Sequence, residues 1–209
     1  MLCTRNALSK VLQRFAAQDP AEMAALSGAV FKDDMLLLKY CNIPLGITYP
    51  TGEARFFDAE GNILPGGPVH EERVVILQYL ATASGLPARG RWLSFHELRG
   101  GQMHWKPFQR EALEPLAQRY HCQKETFLER GYQHGGKRLD QGDASVLVPV
   151  LPRIELAFIL WDGGEEFAPR ATILFDTVVE AYFPTAVSYI LAIQAVIRIW
   201  FPGDTRFDQ

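Results

Sequence analysis

Most of the features that would announce a function are missing from this sequence. Its 209 residues hold three cysteines, at positions 3, 41 and 122, with no CxxC pair. That argues against a disulfide scaffold and fits a reducing compartment. The five histidines (70, 96, 104, 121 and 134) form no HExxH. His96-Glu97 followed by His104 does not have the spacing that puts two imidazoles on one helical face. There is no GxxxxGK[ST], no GxGxxG and no GxSxG, so a nucleotide loop and a nucleophile elbow are both unsupported. Neither Cys41 nor Cys122 has an evident base partner, and Cys41 reads as a small buried hydrophobe. Basic residues are scattered, with no run longer than Lys137-Arg138, and the formal net charge is −3. No electrostatic footprint for nucleic acid results. Arg5 and Lys10 are followed by no apolar signal region, so the cytoplasm is the expected location.

What the chain does have is apolar patterning. Hydrophobic residues make up 48% and charged residues 22%, ample for a core. The expectation is a single α+β domain over residues 1–209: an antiparallel sheet with helices packed on one face and a buried C-terminal helix. A helical segment covers about residues 1–30, and a polar tail covers 203–209. The stretch from Ser145 to Phe201 organises the rest. Ile154, Leu156, Phe158 and Leu160 alternate with Glu155, Ala157, Ile159 and Trp161, so one set faces a core and the other is only partly covered. Asp162-Gly163-Gly164 turns the chain into a second strand, Arg170 to Phe175. Pro149 and Pro152 cannot donate to a ladder, which makes Val146 to Leu151 an edge strand. Pro184 opens a helix that is apolar on most sides, interrupted only by Ser188, Gln194 and Arg198. A helix of that kind is buried, spans a membrane or forms an interface. Its length barely reaches a span, and Gln194 and Arg198 lie inside it, so burial or an interface is the reading.

Upstream, Leu8, Val11, Leu12 and Phe15 fall at helical spacing. Met35 to Tyr40, Ile43 to Tyr49 and Glu53 to Phe57 read as a small antiparallel meander, with Pro44 marking an edge or a bend. Val69 to Ala83 is a largely buried helix, with Glu71 and Glu72 where the helix dipole favours them. Arg91 to Leu98 reads as a short strand. Pro107 to about Arg130 is helical, kinked or divided at Pro115. Gln133 to Asp143 reads as a surface loop.

Two runs carry a resemblance. They are Leu93-Ser94-Phe95-His96-Glu97-Leu98-Arg99-Gly100-Gly101, and Leu151-Pro152 to Trp161-Asp162 continuing through Glu165-Glu166-Phe167 to Leu174-Phe175-Asp176. Together with Tyr79-Leu80 before a Gly-Leu-Pro loop, they are similar to the domain-of-unknown-function family numbered 3786. The resemblance covers about Glu71 to Ile199. It implies a cytoplasmic protein of anaerobic prokaryotes, sometimes joined to a ferredoxin-like iron–sulfur module. This chain has no cysteine cluster of its own, so any cluster would come from an iron–sulfur protein partner.

Three functions follow as expectations. The first is a non-enzymatic binding or accessory protein for a cofactor-like small molecule or a redox partner. Its ligand-facing residues would be Glu97, Gly100, Gly101, His104, Trp105, Phe108 and Trp161, because glycines admit a close backbone approach and aromatic planes stack. The pocket would lie between the Gly100-Gly101 loop and the strand hairpin. The second is a metal-dependent enzyme, which needs three of His96, His104, His121, Glu97, Asp162 and Asp176 to converge. An acidic group of Asp162, Glu165, Glu166 and Asp176 would hold a hard cation or do acid–base work, or else form a solvated turn with Asp176 capping the next helix. The third is an assembly subunit that uses the C-terminal helix as its interface. Whether the chain is an enzyme, and the identity of any cofactor, are open at this point.

Overall fold

A computed structural model of the chain describes residues 2–164 and 167–203. Glu165, Glu166 and the tail beyond Gly203 lie outside the described residues. The chain begins with α1 (Leu2–Ala16) and α2 (Pro20–Ser27). Asp19 caps α2 by accepting the Glu22 N–H at 2.9 Å, Pro20 follows at the first helical position, and Gly28 closes the helix at φ 79, the expected punctuation of a short helix. Next come β1 (Val30–Lys32), β2 (Met35–Tyr40), β3 (Ile43–Thr48) and β4 (Ala54–Phe56), an antiparallel meander in chain order. Pro44 is therefore not on an edge strand, since β3 is paired on both sides. Its carbonyl accepts the Phe57 N–H on the β4 side. The missing proline N–H points the same way, so the Pro44–Phe57 pair makes one hydrogen bond in place of two, just past the end of β4.

The buried helix α3 (His70–Thr82) leads to β5 (Trp92–Ser94). The expected strand through Leu98 stops there, because Phe95–Glu97 winds into one 3₁₀ turn. Glu97 closes that turn by accepting both the N–H and the hydroxyl of Ser94. A second 3₁₀ turn, Gly101–His104, runs into α4 (Trp105–Phe108), a π-helical stretch Gln109–Leu113 and α5 (Glu114–Tyr120). Pro115 neither breaks nor divides this helix; the widened turn just before it accommodates the missing N–H. The break comes later, at Cys122 with φ 55, before α6 (Lys124–Gln133).

The second sheet contains β5, β6 (Lys137–Arg138), β7 (Ala144–Leu151), β8 (Ile154–Trp161) and β9 (Arg170–Asp176) in the order β5-β9-β8-β7-β6, all antiparallel. The expected loop at 133–143 thus contains a strand, and β7 lies one in from the edge. Two-residue β6 covers only Val146 and Leu147, and the register slips after Pro149, so Pro149 interrupts no full ladder, while Pro152 lies in the turn after β7. Being central, β8 is covered more than its alternation predicts: Ala157 and Ile159 are buried along with Ile154, Leu156, Phe158 and Leu160.

The final helix, α7 (Thr185–Trp200), starts after Pro184 and buries Leu191, Ala192, Ala195, Val196, Ile199 and Trp200. It lies against α3 and α6, and it reaches β8 through Trp200, whose ring is 4.4 Å from that of Phe158. One hydrophobic cluster takes in residues of both sheets and of α3, α5, α6 and α7. The sheets also meet directly. Cys41 and Asn42 form the β2–β3 turn with φ 47 and 64, and the Cys41 N–H donates to the Val150 carbonyl at 2.9 Å.

Candidate functional site

The arginine–glycine loop after β5 is held from several sides. The Arg99 N–H donates to Glu180 and its carbonyl accepts the Thr185 hydroxyl, so the loop is fastened to the start of α7. The Gly101 N–H donates to the Leu98 carbonyl. Gly101 is buried, and a Cβ there would stand 1.9 Å from the Phe95 carbonyl oxygen. Gly100 has φ 78 and open space around it. Both glycines are thus explained by the path of the backbone. Glu97 is exposed and engaged with Ser94, whose hydrogen bonds lower its pKa below the usual carboxylate range.

Behind this loop the aromatic residues assemble into a block. Phe95 stacks on Phe108 with ring centres 4.3 Å apart. Phe175 and Tyr189 approach both rings. His104 lies 6.0 Å from Tyr189, and His96 meets Trp105 edge-on at 5.6 Å. Phe108 is fully buried and supports Trp105, 6.2 Å away, from beneath. The Tyr189 hydroxyl donates to Glu111 at 2.7 Å. Burial, with that carboxylate, pushes its pKa far up, so it remains a donor.

Trp105 emerges from the block into a groove of about 420 Å³. One wall is helical and carries Trp105, Gln109, Leu113 and Glu114. The other is the β8–β9 end, with Trp161, Arg170 and Thr172. Both tryptophans are half-buried, and the Arg170 guanidinium lies over the Trp161 ring at 5.6 Å, a cation–π distance. The π-helical stretch places Gln109 and Leu113 on this wall; such turns are frequent at functional sites. Of the ligand-facing residues expected from sequence, Trp105 and Trp161 line the groove and Phe108 underlies Trp105. Glu97, Gly100, Gly101 and His104 are not among its lining residues.

Of the acidic group, Glu165 and Glu166 lie outside the described residues, and Asp162 and Asp176 lie at opposite ends of β9. Asp162 follows Trp161, which pairs with Arg170 at the start of β9, whereas Asp176 ends that strand. Asp162 accepts the Cys122 N–H and pairs with Lys124 at 3.7 Å. Buried Asp176 accepts the N–H groups of Arg89, Gly90 and Val178, capping the 3₁₀ turn that follows it. Among the described residues, no three His, Cys, Asp or Glu side chains converge as metal ligands. The metal-enzyme expectation therefore has no ligand set in this geometry.

The family model described as "Domain of unknown function (DUF3786)" matches residues 19–198. The chain belongs to this family. No curated protein matches it, and no solved structure does. The DUF3786 segment includes both groove tryptophans, the aromatic block and every strand among the described residues. Among the described residues, no helix is long and apolar enough to cross a membrane.

Within the DUF3786 segment lies a polar centre that sequence patterning did not single out. Glu72 is 1% exposed and receives two hydrogen bonds from Arg198, at 2.5 and 2.6 Å. The same carboxylate accepts the Val69 N–H and so caps α3. The Arg198 guanidinium lies over Phe56 at 4.5 Å and Tyr40 at 5.8 Å. Burial opposes its charge, but Glu72 more than offsets this and holds its pKa above the ordinary arginine value. Burial likewise raises the pKa of Tyr40 and of the Cys41 thiol. His134 Nδ1 lies 2.7 Å from the Cys41 carbonyl. The one available clue was an arginine inside an otherwise apolar helix, since buried charges need partners.

Proposed function

We propose that this protein is a binding or accessory protein that holds a planar, cofactor-like small molecule in the groove between Trp105 and Trp161. The observation that carries this reading is that both indoles reach one groove of about 420 Å³ from separate elements. Grooves of roughly 300–1,000 Å³ with apolar walls and a few polar groups suit small ligands. The aromatic planes would supply stacking, while Arg170, Glu114, Gln109 and Thr172 would fix orientation. Phe108 and Phe95 back Trp105 from the buried side, so little side-chain freedom is left to lose on binding. The groove residues include no evident nucleophile and no acid–base pair, which favours binding over chemistry.

Native mass spectrometry and the ultraviolet–visible spectrum of protein purified without oxygen test the proposal. A bound species is expected in the wild type and is expected to be lost from Trp161→Ala and Trp105→Ala while both variants remain folded. Wild-type protein that carries no bound mass and no absorbance beyond its own aromatic residues would remove the proposal's support.

A further inference from the structure

A second cavity, of about 540 Å³, shares no lining residue with the tryptophan groove. It opens where α1, α3 and the segment entering α7 meet, and Arg14, Arg99, Gln78, Thr82 and Thr185 face it. Arg14 comes from the last turn of α1 and Arg99 from the loop after β5. Among the described residues, neither guanidinium has a hydrogen bond, an ion pair or a ring contact. A solvated arginine on a loose loop would not stand out. Arg99 differs because its own N–H and C=O are both fastened, to Glu180 and Thr185, while its head is left unengaged. Glu180, the one acid in the lining, has an oxygen committed to that backbone N–H. Two arginines against one glutamate leave the cavity net positive, in a chain whose formal charge is −3.

We propose that this cavity binds the phosphate group of a small organic phosphate. Two exposed arginines that line one cavity suit a dianion with several acceptor oxygens, because each guanidinium fork can give paired N–H donors. The volume exceeds that of a phosphate alone, and Ala181, Phe183 and Pro184 offer apolar wall to an organic body. The site is separate from the tryptophan groove and does not depend on its ligand.

Titration with inorganic pyrophosphate at low ionic strength, read by calorimetry and by phosphorus NMR line width, tests the assignment. Wild-type protein is expected to bind. Arg14→Gln and Arg99→Gln should each weaken binding about tenfold or more, the range for a lost charge-assisted hydrogen bond. Arg99→Lys, which keeps charge but loses the fork, should fall between. Trp105→Ala should bind as the wild type does, which keeps this result distinct from the fate of the groove reading. Circular dichroism establishes that each variant is folded. Absence of binding to the wild type, or equal affinity in a folded Arg14→Gln/Arg99→Gln double variant, would overturn it.

Discussion

Replacing Glu72 by glutamine is expected to destabilise the protein more than an ordinary surface change would. The Glu72 carboxylate is buried, and Arg198 bonds it through two nitrogens. Glutamine removes the charge but keeps an oxygen for the Val69 N–H, so the cap of α3 largely survives. What remains is a guanidinium held between Phe56, Tyr40 and a neutral amide. Leaving one member of a buried pair uncompensated costs about 3–5 kcal/mol. The two rings offset none of that loss, because Arg198 already lies over them in the wild type. In a protein of this length each kcal/mol lowers Tm by about 2–4 °C, so a fall of about 6–20 °C is expected. Urea unfolding followed by far-ultraviolet circular dichroism should show a lower midpoint at unchanged slope. Removing both charges, as Glu72→Leu with Arg198→Met, should recover most of the loss, since apolar replacement of a whole buried pair is often neutral. A Glu72→Gln cost below about 1 kcal/mol, or a double variant as unstable as the two single losses combined, would refute the assignment of this pair as a buried, mutually compensating one.

Three further outcomes are expected. Burial is the largest of the effects that lower the His134 pKa, and they outweigh its bond to the Cys41 carbonyl. Below the ordinary value of 6.5 the unfolded chain therefore binds more protons than the folded one, and stability falls as pH drops from that value toward the depressed folded one; urea midpoints across this range should slope in wild type and flatten in His134→Gln. Gly101→Ala should cost several kcal/mol, because its Cβ would meet the Phe95 carbonyl at 1.9 Å, whereas Gly100→Ala, in open space at φ 78, should cost only about 1–2 kcal/mol; equal Tm losses would contradict the loop geometry. Of Cys41 and Cys122, a thiol reagent should label only Cys122 in native protein, since Cys41 is buried with its pKa raised; peptide mapping of labelled protein decides this.

The parts of the fold that could be read from sequence are those set by neighbouring residues. The strand character of β8, the apolar character of α7 and the Asp176 cap all arise within a few residues of chain. The errors fall where a distant partner decides. Nothing near Pro44 shows that β4 ends short of it, and nothing near Pro149 shows that Lys137 and Arg138 will pair with Val146 and Leu147. Asp162 and Asp176 look close because both flank the hairpin, yet the length of β9 separates them. Glu72 looks like a first-turn acid until the chain brings Arg198 to it.

The tryptophan groove depends on the same long-range packing, and of its lining residues only Trp105 and Trp161 are among those expected from sequence. Trp105 stands on Phe108 and Phe95, and these stand on Phe175 and Tyr189 from β9 and α7. The helical wall is therefore set by the same core that sets the sheet, and the groove cannot widen without disturbing both. In the helical wall itself, the irregular element is the π-helical turn at Gln109–Leu113. In a continuous α-helix residues four apart are offset by about 40°, so Trp105, Gln109 and Leu113 would share a face and drift across it by about 80° in all. The wider turn at Gln109–Leu113 offsets part of that drift, and all three line the groove. Pro115 follows two residues later and, lacking an N–H, cannot make the bond that would restore regular winding. The proline, read from sequence as a kink or a point of division, thus sits at the end of an irregular winding within one helical wall.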